Sequence, residues 1–116
     1  MKKSKVNCMT KDGAMTVDGY GFEATLRDPE TGKPTAAVWM GVHRAIGGSG
    51  WVVTCPCTGK VVATGRTRKE AESAFHTVFE RYEVMYFTEE FKKMRSEFNR
   101  AVLELYGRKP IGDVKV

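Results

Sequence analysis

The chain has 116 residues, 41% hydrophobic and 28% charged, which makes one ordinary globular domain and excludes two separate cores. No run approaches the ~18 apolar residues of a membrane span. The basic start Met1-Lys2-Lys3-Ser4-Lys5 also fails to continue into the apolar block of a secretion signal, so no membrane partner and a cytoplasmic location are expected. Nineteen Lys and Arg against fourteen Asp and Glu give a net charge of +5, an excess that permits a polyanionic partner and also serves solubility alone.

Residues 1–13 are polar and basic without periodicity, and Asp12-Gly13 is a turn signal. They are expected as a flexible basic arm before a single α+β domain over 14–107, with 108–116 a tail. Tyr20, Phe22, Ala24 and Leu26 alternate with Gly21, Glu23, Thr25 and Arg27, the period of a half-buried strand. Asp28-Pro29-Glu30-Thr31-Gly32-Lys33 reverses the chain, because Pro presets φ and Gly supplies the positive φ. Pro34 delays pairing by one residue. The next strand runs from Thr35 to about Ala45, with Val38, Met40 and Val42 on one face and Ala37, Trp39, Gly41 and His43 on the other. Two partly apolar faces predict a central strand.

Gly47-Gly48-Ser49-Gly50 makes a flexible loop. It resembles a phosphate cradle only superficially, since it joins two predicted strands and opens no helix. Trp51 to Cys55 is a third strand, Thr58-Gly59 a turn, and Lys60 to Thr64 a fourth. Cys55 and Cys57 flank Pro56, and in an extended segment they share a face and could offer two thiolates to a metal. Cys8, His43 and His76 are the only further soft or imidazole ligands, and none stands at a finger spacing. Packing of Cys55 as a small hydrophobe, with Cys57 in the turn, is the preferred reading. No metal and no cofactor is expected.

Thr67-Arg68-Lys69-Glu70 is a capping box: a Thr and a Glu three residues later satisfy two orphan donors at a helix start. Ala71, Ala74, Phe75, Val78, Phe79 and Tyr82 follow at helical spacing, predicting an amphipathic helix whose Ala71, Phe75, Val78 and Phe79 pack on Val53, Val61 and the second strand. Residues 83–87 are apolar enough to be packed or helical. Thr88 before Glu89-Glu90 caps a second helix, with Phe91, Met94, Phe98, Ala101, Val102 and Leu105 on its buried stripe, Gly107 as terminator and Pro110 forbidding continuation. The expected fold is α+β: a four-stranded antiparallel meander packed by an amphipathic helix, then a C-terminal helix.

Enzymatic signatures are missing. The sequence contains no nucleophile elbow, no phosphate loop ending in Lys-Ser or Lys-Thr, no metal-binding His pair and no Cys with a His partner nearby in sequence. The basic residues are more suggestive. Arg44 ends the second expected strand, Lys60 opens the fourth, and Arg66, Arg68 and Lys69 crowd the strand-to-helix junction. A meander can gather these along one end of the sheet, with Arg27 and Lys33 at the margin and Trp39 or Trp51 supplying a flat surface for exposed bases. The alternative is that both tryptophans are core residues and the charges a solvated rim.

Two family resemblances bear on the choice. Gly50-Trp51-Val52-Val53-Thr54-Cys55-Pro56, followed by Gly65-Arg66-Thr67-Arg68-Lys69-Glu70-Ala71-Glu72, resembles the sheet and first helical turn of HicB antitoxins. That likeness implies a small ribonuclease-H-like module that inhibits a partner toxin. Phe22-Glu23-Ala24-Thr25-Leu26-Arg27-Asp28-Pro29 with Thr31-Gly32-Lys33 resembles a hairpin of ethylene-response-type and integrase-arm DNA-binding domains. Residues 65–71 resemble their strand-to-helix transition, and the likeness implies Arg27, Lys33 and Arg44 as no more than candidate DNA contacts. The expectation is a small non-enzymatic binding protein that contacts nucleic acid through the basic patch. The alternative is a protein-interaction or inhibitory module, antitoxin-like or a phage or mobile-element accessory, that blocks a partner protein.

Overall fold

A computed structural model describes residues 2–82 and 88–106. The elements are β1 (Lys2–Thr10), β2 (Gly13–Arg27), β3 (Pro34–Arg44), β4 (Trp51–Cys55), β5 (Lys60–Gly65), α1 (Arg68–Tyr82) and α2 (Glu89–Tyr106). The strands form one antiparallel sheet in the order β1-β2-β3-β4-β5, so the fold is α+β with five strands rather than the four expected. The added strand is the segment expected as a loose arm. Lys2 to Thr10 pairs with Gly21 to Gly13 along its whole length, with the Asp12-Gly13 signal lying at the hairpin.

One sheet face carries Leu26, Val38, Met40, Val42, Val53 and Cys55, all buried, and Ala71 and Phe75 of α1 lie in the same core. Phe75 meets Phe22 edge-on with ring centroids 5.3 Å apart, and the neighbouring His76 stands 6.0 Å from the same ring. Ala71, Phe75 and Phe79 follow at four-residue spacing along the packed side of α1, and Val78, expected in the core, falls beside that line and is 38% exposed. Val61 departs for a different reason. The register shifts so that Val53 pairs with Ala63 but Thr54 with Val61, leaving Val62 as the extra residue of a bulge. Val62 packs against the core, and Val61 is 53% exposed.

Pro34 does not delay pairing as expected: β3 begins at it, and a second bulge follows. Leu26 pairs with Ala36 and Arg27 with Pro34, and the skipped Thr35 donates its hydroxyl to the Leu26 carbonyl at 3.1 Å. Both helices begin at the expected caps. The Glu70 amide donates to Thr67 Oγ1 and the Phe91 amide to Thr88 Oγ1, each at 3.1 Å. The return bond of the first box is displaced by one residue, because Glu70 Oε2 accepts from the Arg66 amide at 2.9 Å. Phe91, Phe98 and Val102 of α2 are buried; Phe91 joins the main core, while Phe98 and Val102 close a smaller cluster with Ala14. Residues 83–87, the side chains of Tyr82 and Leu105, the Gly107 and Pro110 stop and the 108–116 tail lie outside the described residues.

The opposite face is concave. Met9 N donates to Gly59 O at 2.7 Å, which draws the end of β1 against the β4–β5 turn. Gly59, at φ 72, has the left-handed backbone of that turn, and a Cβ there would stand 2.7 Å from Phe98 Cζ.

Candidate functional site

The sheet register brings four cations and two aromatic rings to one end of the helix-bearing face. Arg44 pairs with Trp51 across β3 and β4, and Tyr20 pairs with Val42, two residues before Arg44 on the same face. Lys3 pairs with Tyr20 and Lys5 with Asp18 across β1 and β2. The first turn of α1 then sets Arg68 above the same area. The contacts form a chain: Arg44 Cζ lies 5.2 Å from the Trp51 ring centroid, Trp51 lies 6.3 Å from Tyr20 at a 42° tilt, and Arg68 Cζ lies 4.3 Å from the Tyr20 ring. Both cations are within the range at which an aromatic quadrupole attracts a positive charge.

Beside this chain lies a cleft of about 560 Å³, lined by Lys3, Ser4, Lys5, Asp18, Gly19, Tyr20, Arg44 and Trp51. Tyr20 and Trp51 are half-buried, so their rings belong partly to the core and partly to the cleft. Lys5 is ion-paired with Asp18 at the rim, and both side chains are largely exposed. Arg66 pairs weakly with Glu70 at 3.5 Å. The Arg66 amide, aided by the Arg66 guanidinium and the Thr67 amide, holds the Glu70 carboxyl below its ordinary value.

Arg44 and Arg68 are thus joined through two rings, with Arg66 and Lys69 exposed beside Arg68 at the helix start. Lys60 is not in this group. It pairs with Cys55 at the far end of β5 from Gly65, the residue opposite Trp51, about 16 Å away at the usual strand rise. Arg27 and Lys33 flank the β2–β3 turn, at the end of β3 opposite Arg44, about 30 Å distant on the same rise. Lys3 and Lys5 are the cleft residues that sequence reasoning missed. Their signal was the Asp12-Gly13 hairpin turn, which calls for a strand on each side.

His43 and the three cysteines are buried, whereas His76 is exposed. His43 is 1% exposed; its Nδ1 lies 2.8 Å from the Arg44 carbonyl and its Nε2 2.8 Å from Thr54 Oγ1. A carbonyl can only accept, so Nδ1 carries the proton and Nε2 accepts from the Thr54 hydroxyl. The ring is neutral with both nitrogens engaged, and burial holds its pKa below the ordinary 6.5. The Cys8 thiol donates to the Met15 carbonyl at 3.6 Å, and burial pushes it up to about 11. Neither group is an activated nucleophile or base as placed. Cys55 and Cys57 are both buried, and among the described residues no three His, Cys, Asp or Glu side chains gather as a metal site. Among the described residues, too, no helix is long and apolar enough to cross a membrane.

Cys8 and His43 also line a second cleft of about 840 Å³ on the concave face. Met9, Ile46 and Val61, three of the exposed large hydrophobic residues, stand around it.

Compared with protein-family models, with curated proteins and with solved structures, the chain matches none.

Proposed function

We propose that this is a small non-enzymatic binding protein that contacts nucleic acid through the basic, aromatic end of its sheet. The observation that supports this reading is the chain Arg44–Trp51–Tyr20–Arg68 beside a cleft walled by Lys3 and Lys5. Each component answers a need of the ligand. Guanidinium and ammonium groups neutralise phosphates and release counterions, and rings offer stacking surface at little conformational cost. The reading keeps Arg44, Arg66, Arg68 and Lys69 as contacts, adds Lys3 and Lys5, and removes Lys60, Arg27 and Lys33 to other parts of the surface. Titration of a labelled oligonucleotide at several salt concentrations tests it. Affinity should fall steeply with salt, and replacing Arg44 and Arg68 together by Gln should lower the slope by about one for each phosphate no longer neutralised.

A second reading is favoured by the apolar rim of the concave cleft, where Met9, Ile46 and Val61 lie together. Surface of this kind suits a protein partner, as an inhibitory or antitoxin-like module would require. Capture of a partner from cell extract that survives nuclease and high salt supports this reading over the first.

A further inference from the structure

Resting on the nucleic-acid reading, we infer that the cleft between β1 and the Tyr20–Trp51 pair takes an unpaired base, so that the preferred ligand is single-stranded nucleic acid. Rings and cations line it together: Lys3 lies opposite Tyr20 in the register, and Arg44 opposite Trp51. At about 560 Å³ the cleft has the size of a small-molecule site, the scale of one nucleotide. A duplex cannot use such a recess. Its base faces are hidden in the stack, and it is read by an element that enters a groove about 12 Å wide. Here Tyr20 and Trp51 line a cleft that a base can enter only after it has left its stack.

The charges divide accordingly. Lys3 and Lys5 line the β1 wall, where the phosphates on either side of the inserted base would run. Arg44, held over Trp51, can stack on a base with its plane while its N–H groups reach a phosphate oxygen. Asp18, paired with Lys5 at the rim, weakens a site for bare phosphate but can accept a hydrogen bond from the exocyclic amine of a base. A recess that served phosphate alone would gain nothing from two rings and would lose by the carboxylate.

The test compares a labelled single strand of about twelve nucleotides with a duplex of the same length, a span within the usual site sizes. The Trp39→Phe protein serves as background, since Trp51 is then its only tryptophan. The single strand should bind about tenfold or more tightly than the duplex and quench Trp51 emission. Trp51→Ala should lose about tenfold on the single strand, the scale of one stacking interaction, with the duplex unaffected. Trp51→Phe, which keeps a ring and the fold, should retain most of the binding, and Lys3→Gln with Lys5→Gln should weaken both ligands.

Equal affinity for strand and duplex with Trp51 unquenched overturns this inference and leaves the nucleic-acid reading standing. Displacement of the single strand by polyglutamate at equal charge concentration also overturns it, since the cleft would then read charge alone. Absence of binding to either nucleic acid at low salt removes both.

Discussion

Val6 of β1 fills the space that Gly41 of β3 leaves empty. A Cβ on Gly41 would clash with the Val6 methyls, 2.7 Å from Cγ2, and one on Gly19 would stand 3.0 Å from the same methyl. Val6 is fully buried although β2 separates its strand from β3. The two glycines therefore let the sheet curl until β1 lies over its own neighbours.

Gly41→Ala should destabilise the protein by about 1–3 kcal/mol, the range for overpacking a core. Val6→Ala in the same chain should recover part of that loss, because it vacates the space the new methyl needs. Chemical denaturation of the two single variants and the pair checks it; strictly additive losses would show that the two residues do not compete for one site.

Phe75→Ala should destabilise by about 3–5 kcal/mol, since the ring is fully buried between the sheet and Phe79. A loss below about 1 kcal/mol by urea denaturation would mean the site collapses without a cavity.

Thr67→Ala should remove about 0.5–2 kcal/mol by deleting the acceptor of the Glu70 amide. The reciprocal bond is pH-dependent. Glu70 has its pKa lowered in the folded state, so its contribution is present above the ordinary value of 4.5 and is lost as pH falls through the lower folded value. Glu70→Gln should flatten that part of the acid limb of a stability–pH curve, and an unchanged limb would place the dependence elsewhere.

His43 supplies a second pH dependence near neutrality. Its folded pKa lies below 6.5, so the unfolded chain takes up the proton first and stability falls as pH drops through and below 6.5. NMR titration of the imidazole should show it still neutral, with Nδ1 protonated, at pH values where an exposed histidine is half charged. A midpoint at or above 6.5 would contradict the burial of the ring.

Replacing Arg66 and Arg68 together should weaken nucleic-acid binding across all sequences and reduce the salt slope, by about one for each phosphate left without its cation. Lys60→Ala should leave both unchanged, because Lys60 lies at the other end of β5. Equal losses from the two changes would point to diffuse charge rather than a localised site.

The elements legible in the sequence are those whose causes are local. A Thr and a Glu three residues apart set the start of α1, Thr88 set that of α2, and apolar alternation marked β2, β3 and β4, because caps and periodicity act within a few residues of the chain. Strand β1 was missed because Lys2–Thr10 carries no apolar alternation of its own; only the Asp12-Gly13 turn pointed to it, and the burial of Val6 against Gly41 and Gly19 is a contact that no local pattern marks. The exposure of Val61 depended on a bulge at Val62, and that of Val78 on which side of α1 the sheet covers. Neither is visible in one strand or helix taken alone. The candidate site divides in the same way: sequence identified Arg44, Arg66, Arg68 and Lys69 as a basic group at strand and helix ends. Only the tertiary structure could bring Lys3, Tyr20, Arg44, Trp51 and Arg68 together, since each comes from a different element: the register of successive strands sets the first four side by side, and the packing of α1 on the sheet adds Arg68.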